Sequence, residues 1–220
     1  MILDLLANNA FTRPIYLSSP GGLSELIDID KYLFMDGAMF KFMPVKHNEG
    51  NGNVGILSDR CFDQMMNKFK YGNLNNPKVF VDWVSMGTAE YTRNNFARVA
   101  QKLIQEGKQQ KAEQLLDKGI ELFPDRAINF NLYMYGYADL YYQLGKYEKG
   151  NDINLLIADY YLKNLEYYNS LEPKFKKTFD DETLEALQVL QGIIQNMTKY
   201  KQEKPADELA KKVQPYLMNR

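Results

Sequence analysis

The chain has 220 residues, 45% of them hydrophobic and 25% charged, and its 27 Lys and Arg against 28 Asp and Glu leave a formal net charge of -1. That length can bury a sizeable core without staples, and the single cysteine, Cys61, excludes an internal disulfide framework. The balanced charge argues against a nucleic-acid surface, which shows a basic excess, and no like-charge run is long enough for a polybasic membrane patch.

In chain order, Ile2, Leu3, Leu5 and Leu6 form a short apolar helical patch ending at Asn8-Asn9. It is too short, and too poor in flanking basic residues, for a signal peptide, and no stretch reaches the roughly 20 apolar residues of a membrane span. A strand is predicted near 14–18, and SSPGG at 18–22 is a loop by composition. Asp36-Gly37 lies between apolar runs at 32–35 and 38–45. That pattern predicts a β-hairpin with a type I′ turn, which needs positive φ at both central residues. In the second run Met39, Lys41 and Met43 alternate with Phe40 and Phe42. HNEGNGNVG at 47–55 is a glycine-rich loop without the alternating acids and closing Glu that calcium requires. Asp59 can cap a helix carrying Phe62, Met65, Met66 and Phe69. Residues 77–82 read as extended, and Trp83 anchors the start of a helical half.

From there the period is helical, punctuated by Gly107, Gly145, Pro124, Pro173 and Pro205. Helices are predicted over 83–106, 109–123, 127–144, 147–170, 180–201 and 205–218. Two domains follow: a small α+β segment with a β-hairpin over 1–82, and antiparallel helical hairpins over 83–220.

Those hairpins resemble tetratricopeptide repeats, whose period is about 34 residues. For a repeat starting at Arg93, the small or bulky residues typical of that family fall at Ala100, Gly107, Ala112 and Pro124. A second repeat starting at Asn131 offers Ala138, Tyr141, Gly145 and Tyr147. The resemblance implies a right-handed αα-hairpin superhelix with repeats at 93–126 and 131–170 and a degenerate pair at 180–218. The first half carries another resemblance. LLANNAFTRPIYLSSPGG, DKYLFMDGAMFKFMPVK and MMNKFKYGNLNNP are similar, in order and spacing, to the soluble tail of large multi-spanning membrane proteins common in Bacteroidota and related to protein O-mannosyltransferases. Phe11 departs from the Trp expected there. This implies a periplasm-facing accessory domain beside a membrane-embedded part of the same parent chain. Any sugar transfer would reside in that membrane part, and this segment itself would not insert.

In tetratricopeptide arrays the first helix of each repeat lines the concave face. The resemblance therefore implies a groove of Asn94, Ala97, Gln101, Ile104 and Gln105, then Leu132, Tyr135, Asp139, Tyr142 and Gln143. Ala97 and Gln101, like Tyr135 and Asp139, stand where a carboxylate clamp would need Lys and Asn. The amides, tyrosines and single acid suit a neutral polar ligand better: a protein or peptide, or a glycan. Ten tyrosines crowd residues 133–168, and packing between helices, with hydroxyls reaching water at the edges, accounts for them more readily than a groove gripping a peptide or a sugar chain.

No catalytic constellation stands out. His47 is the sole histidine, which excludes a two-histidine zinc site, and it sits in a glycine-rich loop poorly suited to a triad. Walker, GxSxG and GxGxxG patterns are absent, and no cofactor or metal is expected. Asp180-Asp181 opens a helix, where capping and dipole compensation explain it. The expectation is a non-catalytic interaction or scaffold domain. The alternatives are a purely structural or oligomerising cap and, more distantly, a hydrolase or transferase using Arg13, Asp28 or Asp36.

Overall fold

The computed structural model describes residues 2–9, 11–19, 29–49, 54–76 and 78–218. Asp28, Pro77 and parts of the 18–22 and 47–55 loops lie outside the described residues. The chain is mainly helical, with a small mixed sheet near its N-terminus. Where the sequence reading separates 1–82 from 83–220, the contacts divide the chain into Met1–Lys70 with Arg98–Leu115, and Tyr71–Ala97 with Leu116–Arg220.

In the first unit, α1 covers Ile2–Asn9, β1 Tyr16–Leu17, β2 Leu33–Asp36, β3 Met39–Phe42 and β4 Gly55–Ile56. The sheet runs β1-β3-β2-β4, with β3 antiparallel to both neighbours and β4 parallel to β2. Alternation holds at the hairpin: Met39 is exposed while Phe40, Leu33 and Met35 are buried. Asp36 pairs with Met39, which leaves Gly37 and Ala38 as the loop. Only Gly37 has positive φ, at 73°. The turn is therefore of the type II′ pattern, with glycine at its first central position, and not the expected type I′.

Registering Asp36 inside the ladder also gives its carboxylate a structural role. It is 5% exposed, and it accepts hydrogen bonds from the Tyr16 hydroxyl at 2.8 Å, Arg60 Nε at 2.6 Å and Gln64 Nε2 at 3.0 Å. The helix α2, Ser58–Asp63, continues as a wider turn over Gln64–Lys68 and supplies the last two of these donors. Cys61 on α2 is buried. Its sulfur accepts from Gly37 N and donates to the Met35 carbonyl, and burial pushes its thiol up to about 11. The remaining core of this unit includes Val99, Leu103, Ala112 and Leu115.

α3 covers Trp83–Gln105 and α4 Gln109–Leu122; α5 covers Tyr135–Gln143 and α6 Tyr147–Ser170. The short α7, Pro173–Lys176, precedes α8, Asp180–Lys199, and α9, Glu203–Met218. One device closes three of these hairpins. Gly107 N reaches Ile104 O at 2.9 Å while Lys108 N reaches Leu103 O at 2.8 Å. The same pair of bonds recurs at Gly145 with Lys146 and at Lys201 with Gln202. This Schellman arrangement needs a left-handed residue, supplied by Gly107 and Gly145 at φ 75° and 72°, but by a lysine, Lys201, at φ 59°.

The helix expected over 127–144 begins only at Tyr135, preceded by a 3-10 turn at Leu132–Met134. The cause is the buried guanidinium of Arg93, which is 1% exposed. Its Nη1 donates to the carbonyls of Phe123 at 3.2 Å and Ile128 at 2.8 Å, and its Nη2 to Asn129 at 3.3 Å. The guanidinium also lies 4.9 Å from the Phe130 ring centre. Carbonyls turned toward Arg93 cannot serve a helical ladder. Asp125 then takes the Phe130 N–H at 2.6 Å, and Asn131 caps the new turn by accepting from Tyr133 N at 3.1 Å. Around this clamp the second unit buries Phe96, Phe123, Phe130, Tyr137, Ile157, Leu190 and Val213. In it α5 contacts α6, α6 contacts α8, and α8 contacts α9.

Candidate binding cleft

The residues expected to line a groove divide between the units. Gln101 and Gln105 are exposed in the first, and Asn94 is exposed on the α3 segment of the second. Tyr135, Asp139, Tyr142 and Gln143 share α5, and the fold brings all of them into reach of one another. Their partners, however, come largely from α8 and its end. The Asp139 carboxylate accepts from Gln143 at 2.6 Å, Asn196 at 3.1 Å and the Tyr200 hydroxyl at 3.0 Å, with Lys199 Nζ at 3.3 Å. Burial pushes Asp139 up, but these hydrogen bonds and the Lys199 charge outweigh it and hold its carboxyl below the ordinary range. Tyr142 is 2% exposed, and its hydroxyl donates to Asn151 and accepts from Asn154. Burial pushes its phenol up to about 12. The Tyr135 hydroxyl donates to Gly192 O at 3.3 Å. These side chains form an internal polar seam between α5 and α8.

A second group of tyrosines gathers elsewhere in the same unit. Asn131 and Tyr133 from the turn before α5 line a cavity of about 300 Å³, together with Tyr160, Tyr161, Asn164 and Tyr168 of α6 and Glu182 and Glu185 of α8. The helical period assembles it. Residues 161, 164 and 168 recur at three and four along one face of α6, and 182, 185 and 186 do so along α8. The walls differ in burial. Tyr161 is 7% exposed and Tyr133 62% exposed. The rings of Tyr160 and Tyr161 meet edge-on at 5.1 Å, and that of Tyr168 stacks on Phe179 at 4.8 Å. Burial raises the phenols of Tyr161 and Tyr168, and the negative charge of Glu185 adds to both. Glu182 and Glu185 have no hydrogen-bond or ion-pair partner among the described residues. A second hollow of about 500 Å³ shares Tyr168 and is lined also by Leu165, Lys176, Asp180, Asp181 and Tyr216.

Flat ring faces with carboxylate and amide oxygens can hold two chemistries. The rings take the C–H face of a sugar or a cationic side chain, and the oxygens accept from hydroxyls or ammonium groups. Asn131 is already engaged, because it donates to Glu90 at 2.9 Å. The two glutamates escape the sequence reading, although they carry a signal: neither has a Lys or Arg three or four residues away to pair with on the helix.

Of the groups considered for catalysis, His47 and Asp36 have structural partners. The His47 ring accepts from Glu49 N through Nδ1, so its other nitrogen, Nε2, donates to the Asp30 carbonyl at 2.8 Å. Asp36 is held as described above, Asp28 lies outside the described residues, and Arg13 is exposed. Among the described residues no group of three or more His, Cys, Asp or Glu could hold a metal ion. No helix among them is long and apolar enough to cross a membrane.

No curated protein and no solved structure matches the chain. Residues 1–60 of the chain match the family model described as TMEM260-associated domain 2.

Proposed function

We propose that this chain is a non-catalytic interaction module that holds a polypeptide or a glycan in the tyrosine cleft between the start of α5, α6 and α8. The observation that carries the reading is the pair of carboxylates, Glu182 and Glu185, left without partners beside four tyrosines. Glu182 stands in the first turn of α8, where the helix dipole accounts for it, whereas Glu185 lies beyond that turn and lines the cleft beside the rings. The hairpins are read as a short tetratricopeptide-like array, supported by the recurring Schellman turns and by Ala100, Ala112 and Ala138 in the buried core. The family match over residues 1–60 supports the further reading that the module is the periplasmic tail of a membrane glycosyltransferase-like protein and helps it hold acceptor. Calorimetric titration with neutral oligosaccharides and with lysine-rich peptides tests the site. Binding should fall at least tenfold in Tyr133→Ala plus Glu185→Gln, since both residues are exposed and dispensable to the core. Binding unchanged in that variant would remove the site.

A second reading, an oligomerising or structural cap, is favoured by one surface. Phe80, just before α3, and Trp83 and Val84, in its first turn, are 89%, 86% and 73% exposed. Large apolar groups clustered in water mark contact surfaces. Sedimentation velocity of the chain and of Trp83→Ser distinguishes the cases. A dimer lost in the variant supports the cap, and a monomer at every concentration retires it.

A further inference from the structure

Two segments that the sequence marks out, RPIY at 13–16 and KFMPVK at 41–46, converge on a second site in the first unit. The β1–β3 pairing sets Tyr16 against Lys41, and Phe42 N extends it by donating to Ile15 O at 2.9 Å. This brings the residues before β1 beside the end of β3, where Phe11, Arg13, Ile15, Lys41, Phe42 and Pro44 line a cavity of about 370 Å³. The size lies within the range of small-ligand sites.

The lining is cationic and aromatic at once. Neither Arg13 nor Lys41 has a carboxylate partner among the described residues. In the same unit Asp36 is bound to Arg60 and Glu49 to Lys102. More positive charge lies close behind. Lys31 and Lys46 each stand 6.0 Å from the Tyr32 ring, and that ring meets Phe42 at 6.0 Å. Phe11 adds an observation of a different kind. Its φ of 56° is left-handed, a conformation that bulky residues rarely adopt. Yet the side chain so placed is 56% exposed, stacked on Phe42 at 6.0 Å with the rings 8° from parallel. Phe11 closes the turn after α1, in which Thr12 N donates to Asn9 O at 3.0 Å, and that turn sets its ring against Phe42 at the cavity's edge.

We propose that Arg13 and Lys41 form an oxyanion-binding site in this cavity, taking a phosphate or carboxylate whose attached ring or apolar group lies on Phe11 and Phe42. The planar fork of Arg13 suits bidentate contact with such an anion, and Lys41 adds a point charge from the strand. This site is independent of the tyrosine cleft.

The test is an amide chemical-shift titration of the whole chain with phenyl phosphate and, separately, benzoate, at constant ionic strength. Saturable shifts confined to residues 11–13, 15 and 41–43 are expected for at least one probe. A preference between the two assigns phosphoryl or carboxylate as the recognised group. Arg13→Gln plus Lys41→Gln should weaken binding roughly tenfold to a hundredfold, the loss expected for charge-assisted hydrogen bonds. If that pair fails to fold, Arg13→Lys, which keeps the charge and loses the fork, should still weaken it measurably. Shifts absent for both probes, spread evenly over surface lysines, or undiminished in the folded variants would overturn the assignment.

Discussion

Replacing Arg93 by Met keeps an unbranched apolar stem and removes the guanidinium with its five donors. Two buried carbonyls, of Phe123 and Ile128, and the partly buried one of Asn129 then lose their partner. An orphaned buried acceptor costs about 1–3 kcal/mol, so the two deeper ones alone account for roughly 2–6 kcal/mol. The cation over the Phe130 ring adds about 1–2 kcal/mol when desolvated. Against this, the variant no longer buries a guanidinium, and burial already lowers the basicity of Arg93 against the opposing effects of Tyr137, Glu90 and Asp125. The expected net loss is about 3 kcal/mol, a large share of the roughly 5–15 kcal/mol that holds a domain folded. Urea unfolding followed by circular dichroism measures it. Amide exchange at residues 125–131 reads the local consequence, because Arg93 holds the carbonyls of this segment away from a helical ladder. Arg93→Lys should recover less than half of the loss, since an ammonium cannot reach three carbonyls in a fork. A stability change within about 0.5 kcal/mol for Arg93→Met, with unaltered exchange at Ile128 and Phe130, would refute the clamp.

Three further outcomes are expected. Lys201→Gly should stabilise the chain by about 1 kcal/mol and raise the Tm by about 2–4 °C, because a left-handed backbone costs a lysine what it does not cost glycine. Gly150→Ala should destabilise by about 1–3 kcal/mol despite the better helix propensity of alanine. Its Cβ would stand 2.5 Å from the Tyr142 ring and 3.1 Å from the Ala138 carbonyl oxygen, and a thermal melt shows the sign. Asp139 has a folded pKa below its unfolded one, so its contribution is present above the ordinary carboxylate pKa and is lost as pH falls through the folded value. The urea midpoint of the native chain should therefore drop more steeply on acidification than that of Asp139→Asn, and parallel acid limbs would contradict this.

Local chemistry along the chain determined a good part of this protein. The helical period from Trp83 onward, Gly107 and Gly145 as left-handed caps, and the hairpin at Asp36-Gly37 depend on neighbours within a few residues, and such rules are legible in order. The tyrosine crowding at 133–168 was equally visible, but its division was not. Tyr142 became part of an internal seam with Asn151 and Asn154, while Tyr133 and Tyr160 came to line a cleft with glutamates some 20 to 50 residues later. Only the tertiary structure decided features whose partners lie far apart. Arg93 keeps residues 127–131 from a helix by taking the carbonyls of Ile128 and Asn129 from more than 30 positions upstream. Lys201 accepts a conformation that its own side chain disfavours, because the α8–α9 hairpin needs the turn. Arg13 and Lys41 acquire a shared cavity through the pairing of β1 with β3. Sequence patterns report energies that act within a turn or a strand pair, whereas these outcomes depend on contacts that exist only once the chain has closed on itself.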